Sequence, residues 1–121
     1  MKRILLVDDD DVIRKVLGAV LQRAGFEIFL AADGRDGMRL LRSQQVDLAV
    51  VDVWMPEKDG LETLIEIRRD FPPIKVIVMS GGGQLGFRSP LDWAKRLGAD
   101  AVLEKPFSNE DLLKAVLDAL G

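Results

Sequence analysis

The chain contains neither cysteine nor histidine, and these absences exclude several kinds of functional site at once. Without cysteine, the protein can form no disulfide bond and no thiolate metal site. Without histidine, it lacks the side chain that most often binds metals or carries protons near neutral pH. Any chemistry performed by its side chains must therefore use carboxylates, hydroxyls and lysine.

Long apolar runs and an excess of positive charge are missing as well. No apolar run approaches the ~20 residues that a membrane-spanning helix needs. The first apolar run, at 4–7, ends at once in four aspartates, which is unlike a secretion signal. A net charge of -3 and a pI near 5.0 do not favour a nucleic-acid-binding surface. We therefore expect a cytoplasmic protein that contacts neither a membrane nor nucleic acid through these residues.

The 121 residues, of which 48% are apolar, suit one compact domain, and we expect a single domain over 1–121. Short apolar runs that are typical of buried strands lie at 4–7, 26–32, 48–51, 74–79 and 101–103. Segments with apolar residues at helical spacing lie at 12–21, 38–41, 61–67, 91–97 and 112–120. Five strands that alternate with five helices predict an α/β fold with a parallel sheet covered by helices on both faces.

Residues at the predicted boundaries agree with this division. Asp10 or Asp11 can cap the first helix, and Ser108 with Asp111 resembles a capping box at the start of the fifth. Gly60 follows an aspartate just before the third helix, so we expect a turn there with Gly60 in the left-handed conformation.

Polar residues directly follow or end the predicted strands; they are Asp8, Asp9, Asp52, Ser80, Glu104 and Lys105. The carboxyl ends of parallel strands share one edge, where such sheets bind ligands at the point of strand-order reversal. If the order is 2-1-3-4-5, the first and third strands are neighbours there, and Asp8, Asp9 and Asp52 meet. Three carboxylates in one crevice repel one another unless a cation or protons compensate, and a hard divalent cation with oxygen ligands is the natural partner. Mg²⁺ fits, because it is usually held by only one or two carboxylates together with water and phosphate oxygens.

The same strand ends carry four short motifs: Val7-Asp8-Asp9, then Asp52 with Pro56 and Asp59-Gly60, then Met79-Ser80-Gly81, and Lys105-Pro106-Phe107. In order and spacing they resemble the receiver domains of response regulators in two-component signalling, and the resemblance covers the whole chain. It implies a doubly wound (βα)5, flavodoxin-like fold whose five-stranded parallel sheet has the order 2-1-3-4-5. It also implies a cis peptide bond before Pro106.

The resemblance further implies a role for each polar residue. Asp52 would be the phosphoacceptor, taking a phosphoryl group from the phosphohistidine of a histidine kinase or from a small acyl phosphate. Lys105 and the hydroxyl of Ser80 would contact the phosphoryl oxygens. Mg²⁺ would be held by Asp8 through water, and directly by Asp9, Asp52 and the backbone carbonyl of Trp54.

The partners implied by the resemblance are a sensor histidine kinase or phosphotransfer protein and an output domain or downstream protein. A homodimer that forms on phosphorylation is a further option. The switch would act through the predicted fourth helix, fifth strand and fifth helix, and we expect a signalling module rather than an enzyme. Two departures bear on that switch: Val102 stands where receivers usually have an aromatic residue, and the chain between Ser80 and Lys105 is about three residues longer than usual.

A second interpretation belongs to another class of protein. The segment Asp8-Asp9-Asp10-Asp11-Val12 also fits the DxDxV signature of haloacid-dehalogenase-like phosphatases, with Asp8 as nucleophile and Asp10 as acid. Those enzymes need a further acidic pair after the lysine and usually a cap domain. After Lys105 the only acidic residues are Glu110, Asp111 and Asp118, in or near the last predicted helix.

Overall fold

The computed structural model describes residues 1–53, 60–81, 96 and 98–121 of the chain. In chain order the described elements are β1 Arg3–Val7, α1 Asp11–Arg23, β2 Glu27–Ala31, α2 Gly34–Ser43, β3 Leu48–Asp52, α3 Gly60–Asp70, β4 Lys75–Gly81, β5 Ala101–Lys105 and α4 Asn109–Leu120. All five predicted strands are present. The helix predicted at 91–97 lies almost wholly outside the described residues, as do Trp54, Pro56 and Asp59.

The strands form one sheet of order β2-β1-β3-β4-β5, and every neighbouring pair is parallel. This confirms the predicted doubly wound, flavodoxin-like α/β fold. The strand order reverses between β1 and β3, where Val7 is paired with Val51. All five residues of β3 are buried, as expected for a central strand that is covered on both faces.

Successive residues of the strands point into two separate cores. One core packs α2 and α3 against one face of the sheet, through side chains such as Met38 and Leu64. The other packs α1 and α4 against the opposite face, through side chains such as Leu21 and Leu112. Because strand side chains alternate between faces, continuous apolar runs were needed to build both cores. The carboxyl ends of the strands therefore lie between two packed layers of helices.

Helix α1 buries a narrower face than its sequence pattern indicates. Leu17, Gly18 and Leu21 are buried, whereas Val12 is 70% exposed and Val16 is 52% exposed. Gly18 lets the helix approach β2, since a Cβ atom there would come within 3.2 Å of a Leu30 methyl carbon. The two exposed valines, Val12 and Val16, thus lie on the surface of α1.

The helix boundaries agree with the predicted capping. The side chain of Asp10 caps α1 by accepting hydrogen bonds from the backbone nitrogens of Val12 and Ile13. Ser108 and Asp111 form a reciprocal capping box at the start of α4. Asp10, rather than Asp11, is thus the N-cap of α1.

The expectation for Gly60 was wrong. Among the described residues, positive φ angles occur only at Gly25, Gly98 and Gly121. Gly60 is instead the first residue of α3, and its lack of a side chain lets this helix start directly against the end of β3. A close approach of two backbones, and not a left-handed turn, explains the glycine.

Candidate functional site

The site lies at the carboxyl edge of the sheet, where β1 and β3 end side by side. Asp52 is the last residue of β3, and Asp8 directly follows β1. Asp8 is completely buried and Asp52 is only 3% exposed. Buried carboxylates are costly unless cations or hydrogen-bond donors compensate them, so this pair of aspartates needs such partners.

Asp9 completes the predicted acidic cluster. One carboxylate oxygen from each of Asp8, Asp9 and Asp52 can be chosen so that all three lie within 4.8 Å of one another. Asp9 is exposed, which leaves the cluster open to solvent on one side. All three donors are hard oxygens, and the open side leaves room for water or phosphate oxygens. The residues therefore fit a Mg²⁺ ion.

Lys105 supplies a positive charge to the same cluster. It ends β5, and its Nζ lies 3.3 Å from Oδ2 of Asp8 and 3.3 Å from Oδ2 of Asp52. Burial by itself opposes the charged form of this lysine, but attraction to Asp52 and then Asp8 outweighs burial and raises the pKa of Lys105. The ammonium group is therefore charged at neutral pH, and it lies against two of the three carboxyl groups of the cluster.

Ser80 lies on the neighbouring strand. It is fully buried near the end of β4, one residue beyond Met79, which pairs with Asp52. The next residue, Gly81, pairs with Lys105 of β5. The register thus places Ser80 between the strand that carries Asp52 and the strand that carries Lys105. The predicted contact of its hydroxyl with a phosphoryl oxygen stays a prediction.

Asp8 is held by more than Lys105. Its Oδ1 accepts a hydrogen bond of 2.9 Å from the backbone nitrogen of Asp10, and its carbonyl oxygen accepts one of 2.7 Å from Nη1 of Arg14. Arg14 was not predicted as a site residue. The only sequence signal for it is an arginine placed four residues after an N-cap aspartate, in the first part of a helix that begins beside the site.

The remaining predicted features of the site have different outcomes. The Lys105-Pro106 peptide bond is cis, as the resemblance implies. Trp54, the predicted backbone ligand of Mg²⁺, lies outside the described residues. Of the predicted site residues, the structure thus shows Asp8, Asp9, Asp52 and Lys105 in one cluster.

Comparison with known proteins decides the family. The family model for the response regulator receiver domain matches residues 4–117, which is nearly the whole chain. The chain belongs to the response regulator receiver domain family. Among described residues, no helix of this receiver is long and apolar enough to cross a membrane.

Individual relatives agree with the family. The receiver is 36% identical over 116 residues to the transcriptional regulatory protein CpxR of Klebsiella pneumoniae subsp. pneumoniae (strain HS11286), covering 96% of this chain and 48% of CpxR. It thus spans about half the length of that relative. A receiver domain from Clostridium thermocellum has a TM-score of 0.90 at 29% identity, covering 99% of this chain and 94% of that one.

A third relative bears on the metal. The response regulator TrrA from Thermotoga maritima, solved in complex with Mg²⁺ and BeF, has a TM-score of 0.85 at 34% identity and covers 98% of this chain and 99% of its own. Members of the receiver family bind Mg²⁺ at an acidic pocket, and this receiver has such a pocket in Asp8, Asp9 and Asp52.

The phosphatase interpretation fits this geometry poorly. It requires the side chain of Asp10 to act as an acid beside Asp8, but Oδ1 of Asp10 accepts two backbone hydrogen bonds as the cap of α1. The receiver interpretation needs only a helix cap at that position. The geometry at Asp10 therefore favours the receiver interpretation.

Proposed function

We propose that this receiver, as a single domain over 1–121, accepts a phosphoryl group on Asp52 in a two-component signalling pathway. The donor would be the phosphohistidine of a sensor histidine kinase or phosphotransfer protein, or a small acyl phosphate. The observation that carries the proposal is the convergence of Asp8, Asp9, Asp52 and Lys105 at one open edge of the sheet. An anionic nucleophile beside a lysine and a metal-binding cluster suits phosphoryl transfer better than any other reaction open to these side chains.

In the proposed reaction, an oxygen of the Asp52 carboxylate attacks phosphorus, and the bond from phosphorus to the donor nitrogen breaks. The electron pair of that bond stays on the imidazole, which takes a proton, and Asp52 becomes an acyl phosphate. Mg²⁺, when bound, would neutralise charge on the transferring group. Asp9, Asp52 and the carbonyl of Trp54 would hold the ion directly and Asp8 would hold it through water, while Lys105 would hold a phosphoryl oxygen.

The new charge on Asp52 would also operate a switch. Lys105 now contacts Asp8 and Asp52, and we propose that it turns to the phosphoryl group after transfer. Ser80 would donate its hydroxyl to another phosphoryl oxygen. Because Ser80 lies near the end of β4 and Lys105 ends the neighbouring β5, their movement would reach β5, α4 and the predicted helix at 91–97. Position 102 in β5 is a partly buried valine, so the coupling would use no aromatic ring there.

A groove beside the site suits the proposed phosphoryl donor. A shallow cavity of about 470 Å³ is lined by α1 and by the start of the segment after β5, including Val12, Val16, Phe107 and Lys105. Lys105 belongs both to this groove and to the acidic cluster. A partner helix seated on the exposed valines would thus bring its phosphohistidine close to Asp52. We propose this groove as the contact surface for the kinase or phosphotransfer protein.

The output partner would bind elsewhere. Since the chain spans about half of CpxR, we propose that it acts on an output domain or a downstream protein. The second candidate for the face formed by β5, α4 and the predicted helix at 91–97 is another copy of this chain, in a homodimer that forms on phosphorylation. In either case the domain would contact no nucleic acid or membrane directly, and it would act as a signalling switch and not as an enzyme on a separate substrate. The cytoplasmic location stays a prediction.

Mass spectrometry after treatment with acetyl phosphate and Mg²⁺ tests the proposal. We expect one added phosphoryl group on the wild-type chain, on the peptide that contains Asp52, and its release by neutral hydroxylamine because it is an acyl phosphate. Asp52→Asn should abolish the adduct, whereas Asp8→Asn should only slow its formation. Labelling retained in Asp52→Asn and lost in Asp8→Asn would instead favour the phosphatase interpretation.

A further inference from the structure

Arg14 occupies a position where a cation is not expected. It lies in the first part of α1, near the positive end of the helix dipole, which disfavours a positive charge. Its side chain is only 14% exposed, so the guanidinium has also lost most of its water. Contacts must compensate for both effects.

Two contacts do so, and both involve the acidic segment. Nη1 of Arg14 donates to the carbonyl oxygen of Asp8, and Nη2 pairs with Oδ1 of Asp11. Val7 is the last residue of β1 that pairs with β2 and with β3. The backbone nitrogen of Asp8 still donates a hydrogen bond to β2, but the carbonyl oxygen of Asp8 has no partner in either strand. The carbonyl of Asp8 thus projects beyond the sheet, and Arg14 supplies a donor that no strand provides.

That carbonyl belongs to the peptide group that joins Asp8 to Asp9. A peptide group is planar, so fixing its oxygen also fixes the directions in which the chain leaves on either side. The side chain of Asp8 is further held by the nitrogen of Asp10 and by Lys105. Among the residues that the structure describes, none donates a hydrogen bond to the side chain of Asp9. The position of the Asp9 carboxylate is therefore set mainly through its backbone.

We propose that Arg14 is a positioning residue of the metal site, which it serves by fixing the peptide group between Asp8 and Asp9. This inference rests on the proposed binding of Mg²⁺ by these aspartates. Arg14 would act on the metal site only through Asp8, whose carbonyl oxygen it holds. Without it, mutual repulsion would drive the Asp8 and Asp9 carboxylates apart, and binding would have to restore their arrangement first.

The charge and the position of Arg14 have opposite effects on Mg²⁺ affinity, so a single substitution separates them. Arg14→Gln removes a positive charge near the acidic cluster, and by charge alone it should tighten Mg²⁺ binding. If Arg14 positions the aspartates, the same substitution should weaken binding, by about tenfold for the loss of an outer contact of a metal site. Titration calorimetry with MgCl₂ alone measures the sign directly.

Arg39→Gln is the matched control. Arg39 pairs with Asp36 at the same spacing in α2 as Arg14 does with Asp11 in α1, but its side chain is 74% exposed. No contact joins it to Asp8 or Asp9 within the described ranges. We expect Arg39→Gln to bind Mg²⁺ as the wild-type chain does. Equal or tighter binding by Arg14→Gln, relative to wild type, would overturn the inference.

A purely structural role would give a different result. It would lower the unfolding midpoint in EDTA but leave Mg²⁺ affinity unchanged at temperatures where the variant is folded. If Arg14→Gln does not fold, Arg14→Lys replaces it, because lysine keeps the charge but has no planar fork to join Asp8 and Asp11. We expect weaker Mg²⁺ binding by this variant, and wild-type affinity would overturn the inference. Absence of Mg²⁺ binding by the wild-type chain would instead overturn the proposed function itself, and with it this role of Arg14.

Discussion

Gly60, the first residue of α3, lies so close to Asp52 that a Cβ atom on it would overlap the Asp52 carbonyl oxygen. The same atom would come within 2.5 Å of the Cα atom of Val53. Backbone atoms cannot move aside as the end of a side chain can. We therefore expect Gly60→Ala to lower the free energy of unfolding by about 1–3 kcal/mol, as overpacking does. Because the end of β3 must shift, labelling of Asp52 by acetyl phosphate should also slow; urea denaturation and mass spectrometry measure the two effects.

Gly18→Ala is the control for that substitution. Gly18 lies within α1, and its added Cβ would meet the movable end of Leu30 at 3.2 Å and a methyl carbon of Ile28 at 3.9 Å, which is an ordinary contact. Alanine favours a helix interior over glycine by about 1 kcal/mol. We therefore expect unchanged or slightly higher stability and normal phosphorylation. If Gly18→Ala and Gly60→Ala lost stability equally, close packing against Asp52 would not be the cause.

A second prediction concerns the charge of Lys105. Lys105→Met keeps most of the volume but removes the ammonium group that pairs with the buried carboxylates of Asp8 and Asp52. Mg²⁺ should then bind more tightly, by about tenfold, which corresponds to ~1.4 kcal/mol.

The Lys105→Met variant should still accept phosphate slowly, yet fail to change conformation, because the lysine no longer links the phosphoryl group to β5. Calorimetry and hydrogen exchange with and without acetyl phosphate measure these effects, with the exposed Lys114→Met as control; weaker Mg²⁺ binding by Lys105→Met would contradict the prediction.

The raised pKa of Lys105 predicts how stability depends on pH. Above the ordinary lysine pKa, the folded state holds this proton more tightly than the unfolded state does, so stability falls as pH rises. The contribution of the ion pairs should be complete below about pH 10.4 and should disappear as pH passes through the raised folded value. Urea denaturation in EDTA from pH 9 upward should show this loss in the wild-type chain and a smaller loss in Lys105→Met. Parallel curves for both proteins would mean that Lys105 is not the group responsible.

The aspartates after β1 should separate into stability and metal-binding residues. Asp10→Ala removes the cap of α1 and should cost about 1 kcal/mol of stability, with Mg²⁺ affinity nearly unchanged. Asp9→Asn should have the reverse effect: weaker Mg²⁺ binding, with stability in EDTA unchanged or raised because repulsion within the cluster falls. Denaturation in EDTA and calorimetry with MgCl₂ form the test. A loss of Mg²⁺ affinity in Asp10→Ala equal to that in Asp9→Asn would show that the two residues have no separate roles.

Most of the fold follows from the sequence, because apolar runs and helical spacing are both local patterns. The apolar runs that become β1 and β3 and the helical spacing between them predict the sheet and its crossovers. Strand ends then predict the site, because all parallel strands end on one edge. Asp8, Asp52 and Lys105 come together for that reason alone, although Lys105 is 97 residues from Asp8 in the chain.

What sequence could not predict depends on contacts between elements. The role of Gly60 requires the distance between α3 and β3, and the role of Arg14 requires the direction of one carbonyl beyond the sheet. Val12 and Val16 continue the apolar stripe of α1, yet both are exposed, since the sheet covers only part of that stripe. Periodicity identifies a helix, but it does not show which of its apolar residues the sheet covers.

These two valines allow a last prediction about the phosphoryl donor. Val16 lies in the groove shared with Lys105 and is 52% exposed, so Val16→Asn should remove apolar contact with a partner without disturbing the core. Asparagine resembles valine in helix propensity and adds no charge beside the metal site. We expect transfer from a phosphorylated histidine kinase to slow by about tenfold, equivalent to ~1.4 kcal/mol, while labelling by acetyl phosphate stays unchanged.

The kinase for this measurement is the one that transfers fastest to the wild-type chain among a purified panel. Leu117→Asn is the control, since Leu117 is 60% exposed on α4 but lies outside the groove. Acetyl phosphate needs only the chemistry of Asp52, whereas a kinase must also dock, so the ratio of the two rates isolates docking from transfer. If Val16→Asn slowed both reactions equally, the valine would influence the site itself. If it slowed neither, the kinase would approach Asp52 over a different surface, and the exposed valines of α1 would have no part in choosing the donor.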